Sequence, residues 1–250
     1  MYIGVDLGSR TVKMAVWDGE RLVEHRIEPS GFEPHRQAEK MIGGYKARAV
    51  VATGYGRHLA AEHFADAVIT EIKAHARGIF HEFPGCTTIV DVGGQDSKVI
   101  SLDAAGRVSN FQMNDKCAAG TGRFLEIMAA SLAYTLEDFG RAALTADMEV
   151  QINSMCTVFA ESEVISMKNR GIARDWIARA VHSSVADRLA GMLARLGHGE
   201  AVAFSGGVAR NPCMVELLEK RMPGVRVLVP ELPDITGALG AALHGTGVCS

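Results

Sequence analysis

Apolar and polar positions alternate with a period of two at the start of the chain. Tyr2 to Val5 is a short β-rich run that ends in Asp6-Leu7-Gly8-Ser9. Val12, Met14 and Val16 alternate with other residues up to Trp17, Asp18-Gly19 makes a hairpin turn, and Leu22 to Ile27 returns as a third strand. Pro29 to Glu33 reads as loop, and the stretch on to Arg48 shows no clear helical pattern. Ala49 to Ala52 is a buried strand leading into Thr53-Gly54-Tyr55-Gly56-Arg57, and Glu71 to Phe83 predicts a helix stopped by Pro84-Gly85.

The opening pattern then repeats. Thr88 to Val90 is a strand into Asp91-Val92-Gly93-Gly94-Gln95-Asp96-Ser97-Lys98, followed by Val99 to Leu102, a turn near Asp103 to Gly106, and another strand. Asp6, Gly8 and Lys13 map onto Asp91, Gly93 and Lys98 at one offset, since 91−6, 93−8 and 98−13 are all 85. Three matches within one strand–turn–strand plan indicate a duplicated unit and two similar lobes. Beyond it, Phe124, Leu125, Met128 and Leu132 share a helical face just after Cys117. A short helix follows near Leu136 to Ala143. Cys156 precedes a further helix, with Thr157 as its N-cap, Glu161 and Glu163 in its first turns, and Val158, Phe159, Val164 and Ile165 as its apolar face. A long helix from about Ile172 to Leu196 ends at Gly197-His198-Gly199, and Ala201 to Phe204 is a buried strand. Ser205-Gly206-Gly207-Val208-Ala209-Arg210-Asn211-Pro212 is a glycine-rich turn into a helix, Val225 to Val229 a further strand, and Gly237-Ala238-Leu239-Gly240 opens the last helix. Alternating strands and helices give an α/β class.

Composition narrows the function little. The 250 residues, 48% apolar and 22% charged, suit a globular protein, and a net charge of −3 without a basic block points to neither nucleic acid nor a membrane surface. No apolar run is long enough to cross a bilayer, and the first residues lack a signal layout, so the cytoplasm is expected. There the 5 cysteines should be thiols or metal ligands rather than disulfides.

The two Asp-x-Gly turns suggest phosphate chemistry. Glycine lets backbone N–H groups approach a phosphate closely, and an adjacent aspartate can hold Mg²⁺ or its waters. Either turn alone is a commonplace hairpin; twice in matched settings, with Gly206-Gly207 as a third site, they favour a nucleotide. There is no Gly-x-x-x-x-Gly-Lys-Ser/Thr sequence, and Gly120-Thr121-Gly122 lacks the third glycine of a dinucleotide fingerprint. Cys117 and Cys156 each stand near a helix start, a setting that favours thiolate. A 4Fe–4S cluster takes four thiolates, which a two-fold homodimer would assemble from two per chain. The competing reading is that both are small buried apolar residues. Cys86, Cys213 and Cys249 have no such setting and read as structural or incidental, and Met113, Met128, Met155 and Met167 read as core filler. No His–Cys spacing fits structural zinc.

These motifs resemble the acetate and sugar kinase, heat-shock chaperone and actin superfamily. Within it, Thr53-Gly54-Tyr55-Gly56-Arg57, Gly93-Gly94-Gln95-Asp96, the run from Asn114 to Arg123 around Cys117, and the run from Cys156 to Glu163 resemble the ATP-dependent activators of 2-hydroxyacyl-CoA dehydratases, a group that includes benzoyl-CoA reductase ATPase subunits. The resemblance implies two ribonuclease-H-like, actin-like ATPase lobes with a nucleotide cleft between them, residues 1–87 plus 236–250 forming one and 88–235 the other. It implies Asp6, Gly8, Ser9 and Lys13 as a first phosphate segment and Asp91, Gly93, Gly94, Gln95 and Asp96 as a second, with Mg²⁺ at Asp6 and Asp91 and Gln95 or Asp96 orienting the attacking water. Gly206, Gly207, Val208 and Asn211 match the adenosine segment, and Gly120 joins the cofactor-binding positions. Cys117 and Cys156 match the ligands of a 4Fe–4S cluster shared by a homodimer. The implied function is ATP-driven delivery of a low-potential electron to a CoA-thioester dehydratase or reductase, with a ferredoxin or flavodoxin as donor. A kinase of the same superfamily and a cluster-free nucleotide switch are the rival classes.

Overall fold

The computed structural model describes residues 1–153 and 156–248; Met155 and Cys249 lie outside the described residues. The chain divides into two units, one of residues 1–87, 102–110 and 230–250, the other of 88–101 and 111–229.

In the first unit, β1 (Tyr2–Leu7), β2 (Thr11–Trp17) and β3 (Leu22–Pro29) form an antiparallel meander, and β4 (Ala49–Thr53) and β5 (Ala67–Val68) extend it in parallel in the order β3-β2-β1-β4-β5. Both faces are covered. Ile3, Val5, Leu7, Val12 and Met14 pack with Ala38 and Met41 of α1 (Pro34–Ile42) and with Ala60 of α2 (Arg57–His63). Helix α3 (Glu71–Glu82) belongs to the same unit.

The second sheet repeats this plan. β6 (Thr88–Val92), β7 (Ser97–Leu102), β8 (Val108–Asn114), β9 (Ala201–Ser205) and β10 (Arg226–Leu228) run in the order β8-β7-β6-β9-β10. Between β8 and β9 the chain inserts α4 (Gly122–Ser131), α5 (Leu136–Thr145), α6 (Thr157–Asn169) and the 23-residue α7 (Arg174–Leu196), whose apolar faces make one core with α8 (Pro212–Arg221). The last helix, α9 (Thr236–Gly245), packs in the first unit, where Ala238 and Ala242 meet Ala15 and Trp17 on the other sheet face. Its approach is close: a Cβ on Gly4 would lie 1.9 Å from the Ala238 carbonyl, and one on Gly240 only 1.8 Å from that of Ala74 in α3.

Several sequence expectations are corrected. The segment without a helical pattern holds α1, whose buried stripe is only Ala38 and Met41, too thin to register as a period. Pro29 ends β3 rather than opening a loop. The N-cap of α6 is Cys156, not Thr157, which leaves Glu161 and Glu163 beyond the first turn. The expected apolar face of α6 splits: Ala160, Val164 and Met167 are buried, whereas Val158 and Phe159 are each 67% exposed. Met128 and Met167 are core residues, but Met113 is exposed.

Candidate functional site

The 85-residue repeat is a repeat in space. Asp6 pairs with Lys13 across β1 and β2, and Asp91 with Lys98 across β6 and β7. Lys13 Nζ lies 3.0 Å from Asp6 Oδ2 and Lys98 Nζ 3.2 Å from Asp91 Oδ2. The turns close alike, Gly8 N–H donating to the Thr11 carbonyl at 3.1 Å and Gly93 N–H to that of Asp96 at 3.0 Å. Ser30 braces the first turn, its hydroxyl donating to the Gly8 carbonyl at 2.8 Å. Ser9 at that tip is exposed.

A third element joins each hairpin in the same way. Parallel pairing sets Thr53 of β4 beside Asp6 and Ser205 of β9 beside Asp91. The next residue is glycine in both, Gly54 and Gly206, each with φ of +85°, a left-handed conformation that disfavours a side chain. A Cβ on Gly54 would fall 2.4 Å from Asp6 Oδ1, and one on Gly206 2.8 Å from Asp91 Oδ1. Each aspartate therefore has a glycine backbone packed directly against it, an approach that a side chain at that position would prevent.

The two carboxylates differ in occupancy. Asp91 accepts from Lys98 on Oδ2 and from the Ser205 hydroxyl on Oδ1 at 3.1 Å. Asp96 also accepts from the fully buried Lys98, at 2.8 Å, while Gln95 is exposed at the tip. Asp6, 2% exposed, has no hydrogen-bond partner for Oδ1 among the described residues. An orphaned buried carboxylate oxygen beside a bare glycine fits a Mg²⁺–nucleotide at this hairpin.

In the glycine-rich turn, Gly206 caps a 3-10 turn over Gly207–Arg210, with Val208 buried and Gly207 exposed. The Asn211 side chain is committed elsewhere. Its oxygen caps α8 by accepting from the amides of Cys213 and Met214, and its amide donates to His182 Nε2 at 2.9 Å. His182 Nδ1 faces the Ala178 carbonyl at 2.7 Å, and burial pulls its pKa down to about 4, so the ring is neutral.

The cysteines separate by exposure. Cys86 and Cys213 are buried, and burial pushes the Cys213 thiol up to about 11. Cys156 is exposed and Cys117 half-buried. Two accessible thiols among the described residues are a donor set that suits half of an iron–sulfur cluster. Each sits on a braced loop. The Asn114 side-chain amide donates to the carbonyls of Cys117 at 2.9 Å and Ala119 at 3.0 Å, and Glu163 accepts from the backbone and side chain of Asn153 ahead of Cys156. The buried Gly120 follows Cys117 with φ of +87°, where a Cβ would strike Arg188. The Cys117 loop is also joined to the second hairpin. The first amides of α4, those of Gly122 and Arg123, donate to the carbonyls of Gly93 at 2.9 Å and Gly94 at 2.8 Å. Neither this link nor the Thr53–Asp6 and Ser205–Asp91 partnerships were anticipated from sequence, and spacing carries no signal of them.

Comparison with known proteins bears on the family and the fold. The chain is 42% identical over 251 residues to an activator of lactoyl-CoA dehydratase from Anaerotignum propionicum, covering 97% of this chain and 96% of the relative. It is 39% identical to the (R)-2-hydroxyglutaryl-CoA dehydratase activating ATPase of Acidaminococcus fermentans, covering 97% and 95%. Among solved structures, the activator of the 2-hydroxyisocaproyl-CoA dehydratase from Clostridium difficile with bound ADPNP superposes with a TM-score of 0.92 at 41% identity, over 100% of this chain and 96% of that one. The profile of one ATPase family matches residues 3–245. The chain belongs to the BadF/BadG/BcrA/BcrD ATPase family.

Proposed function

We propose that the chain is an ATP-hydrolysing activator that delivers low-potential electrons to a (R)-2-hydroxyacyl-CoA dehydratase or a related CoA-thioester reductase. The observation that carries the reading is the hydrogen-bonded link from Gly93 and Gly94 to the amides of Gly122 and Arg123, five and six residues after Cys117. A change at a phosphate-sensing turn is passed to a thiol-bearing loop through short backbone bonds. The relatives named as dehydratase activators support the partner.

In this reading the bare turns at Gly8 and Ser9, Gly93 and Gly94, and Gly206 and Gly207 admit the nucleotide phosphates. Asp6 offers its open oxygen to a water of hydrated Mg²⁺, Lys13 fixes the other oxygen, and Asp91 is held in place by Lys98 and Ser205. Gln95 is the freer of the two candidates to orient the attacking water, because Asp96 is engaged by Lys98. Val208 flanks the nucleoside, and Asn211 supports it from behind by capping α8. Cys117 and Cys156 from two copies give four thiolates. The exposed Val158 and Phe159 beside Cys156 support such a homodimer, since an apolar pair of that size calls for cover. When bound, a 4Fe–4S cluster supplies a one-electron carrier. A ferredoxin or flavodoxin is the proposed donor, in the cytoplasm; no helix among the described residues is long and apolar enough to cross a membrane.

Anaerobic purification should give a brown dimer with about four iron atoms and four sulfides. Cys117→Ser should lose iron and electron transfer and keep nucleotide binding. Unchanged iron in that variant, or a monomer under oxygen-free conditions, would sink the reading. ATP consumed in step with a phosphorylated sugar would favour a kinase, and colourless protein a cluster-free switch.

A further inference from the structure

The duplication supplies an internal control for the first hairpin. In the second unit the hydroxyl next to the aspartate is satisfied, Ser205 Oγ donating to Asp91 Oδ1 at 3.1 Å. In the first unit the topological counterparts are Thr53 and Asp6, in register on adjacent parallel strands. Their polar atoms stay apart from each other: Asp6 Oδ1 and Thr53 Oγ1 both lack a hydrogen-bond partner among the described residues. Both are deeply buried, Asp6 at 2% and Thr53 at 0% exposure. A buried polar group left unpaired costs about 1–3 kcal/mol. Two of them side by side, where the sister site closes the same pair with a direct bond, mark a seat for a bound polar ligand. The Gly54 backbone lies against this pair, a close approach that any side chain would block, since a Cβ there would fall 2.4 Å from Asp6 Oδ1.

We propose that Thr53 is a positioning residue of the nucleotide site, its hydroxyl and Asp6 Oδ1 together holding one water of the hydrated Mg²⁺ that accompanies the nucleotide. Such a water would donate a hydrogen bond to Asp6 Oδ1 and share a second hydrogen bond with the Thr53 hydroxyl. Lys13 holds the other Asp6 oxygen and keeps the carboxylate from turning. This role rests on the nucleotide reading given above and adds a group that the glycine and aspartate motifs do not contain. It also accounts for threonine in a fully buried strand position that valine would fill equally well by shape.

The test uses the full chain as wild type, Thr53→Val and Thr53→Ser. Thermal midpoints are measured without ligand, and nucleotide affinity is titrated with ADPNP plus Mg²⁺ and with ADPNP in EDTA. Thr53→Val should melt at or above the wild-type midpoint without ligand, because an unpaired buried hydroxyl has been removed. It should bind Mg-ADPNP about tenfold or more weakly than wild type while matching it in EDTA. Thr53→Ser should restore the Mg²⁺-dependent part. Wild-type affinity and Mg²⁺ dependence in Thr53→Val would overturn the proposal. So would a lower ligand-free midpoint with the Mg²⁺-dependent gain intact, which would make the hydroxyl purely structural. Wild-type protein that binds no nucleotide would instead overturn the functional reading itself.

Discussion

His182 shows how one buried ring fixes a pH dependence. Burial holds its pKa at about 4 against 6.5 for an exposed imidazole, and its two nitrogens already face the Ala178 carbonyl and the Asn211 amide. Between those two pH values the unfolded chain binds the extra proton and the folded chain does not, so stability rises with pH across that window and levels off above it. The full span is on the order of 3 kcal/mol. Urea midpoints should therefore drop between pH 6.5 and 4, and His182→Gln should flatten that slope; an unchanged slope would place the acid sensitivity elsewhere. At this scale the sequence was legible where spacing is local. Asp6 with Lys13, and Asp91 with Lys98, lie seven residues apart because a tight hairpin fixes that distance. Thr53 and Ser205 were illegible as partners. Parallel pairing needs a crossover: β2, β3 and α1 make the first separation 47 (53−6), and the helical insertion before β9 lengthens the second to 114 (205−91).

Among the elements, glycines behave in opposite ways according to what faces them. Gly240 in α9 has the Ala74 carbonyl where its Cβ would go, at 1.8 Å, whereas a Cβ on Gly191 in α7 would meet only the Arg195 guanidinium tip, at 3.6 Å. Gly240→Ala should cost about 1–3 kcal/mol or more, since backbone cannot yield as a side chain can. Gly191→Ala should add about 0.5–1 kcal/mol of helix propensity. Calorimetric or denaturant midpoints moving in the same direction for both would contradict this packing. The long helices α3 and α7 and the central strands were readable because their apolar periods are complete. α1, α2 and β5 were not, since two or fewer buried residues mark each one. Helix α6 misled for another reason: its two apolar stripes look alike in sequence, and only packing shows that one is buried and one bare.

For the molecule as a whole, the proposed activity depends on whether a nucleotide-bearing turn and a cysteine loop behave as one piece. The Gly122 and Arg123 amides are the joint, and Asn114 holds the loop beyond them. Adding Mg-ADPNP should slow hydrogen exchange at those two amides. Asn114→Ala should speed exchange across 117–121 and leave nucleotide affinity unchanged. Exchange at 122 and 123 indifferent to nucleotide would uncouple the two sites. The chain's winding has one further consequence, for synthesis. β1 is made before the elements of the second unit, yet the helix that Gly4 and Ala15 receive is α9, which is made after them. Residues 88–101 and 111–229 can thus gather around their own apolar centre on the ribosome, while the earlier-made sheet waits, one face bare, for Thr236–Gly245 to emerge. A product stalled before Thr236 would expose that face, and nascent-chain chaperones should hold the first sheet until α9 arrives.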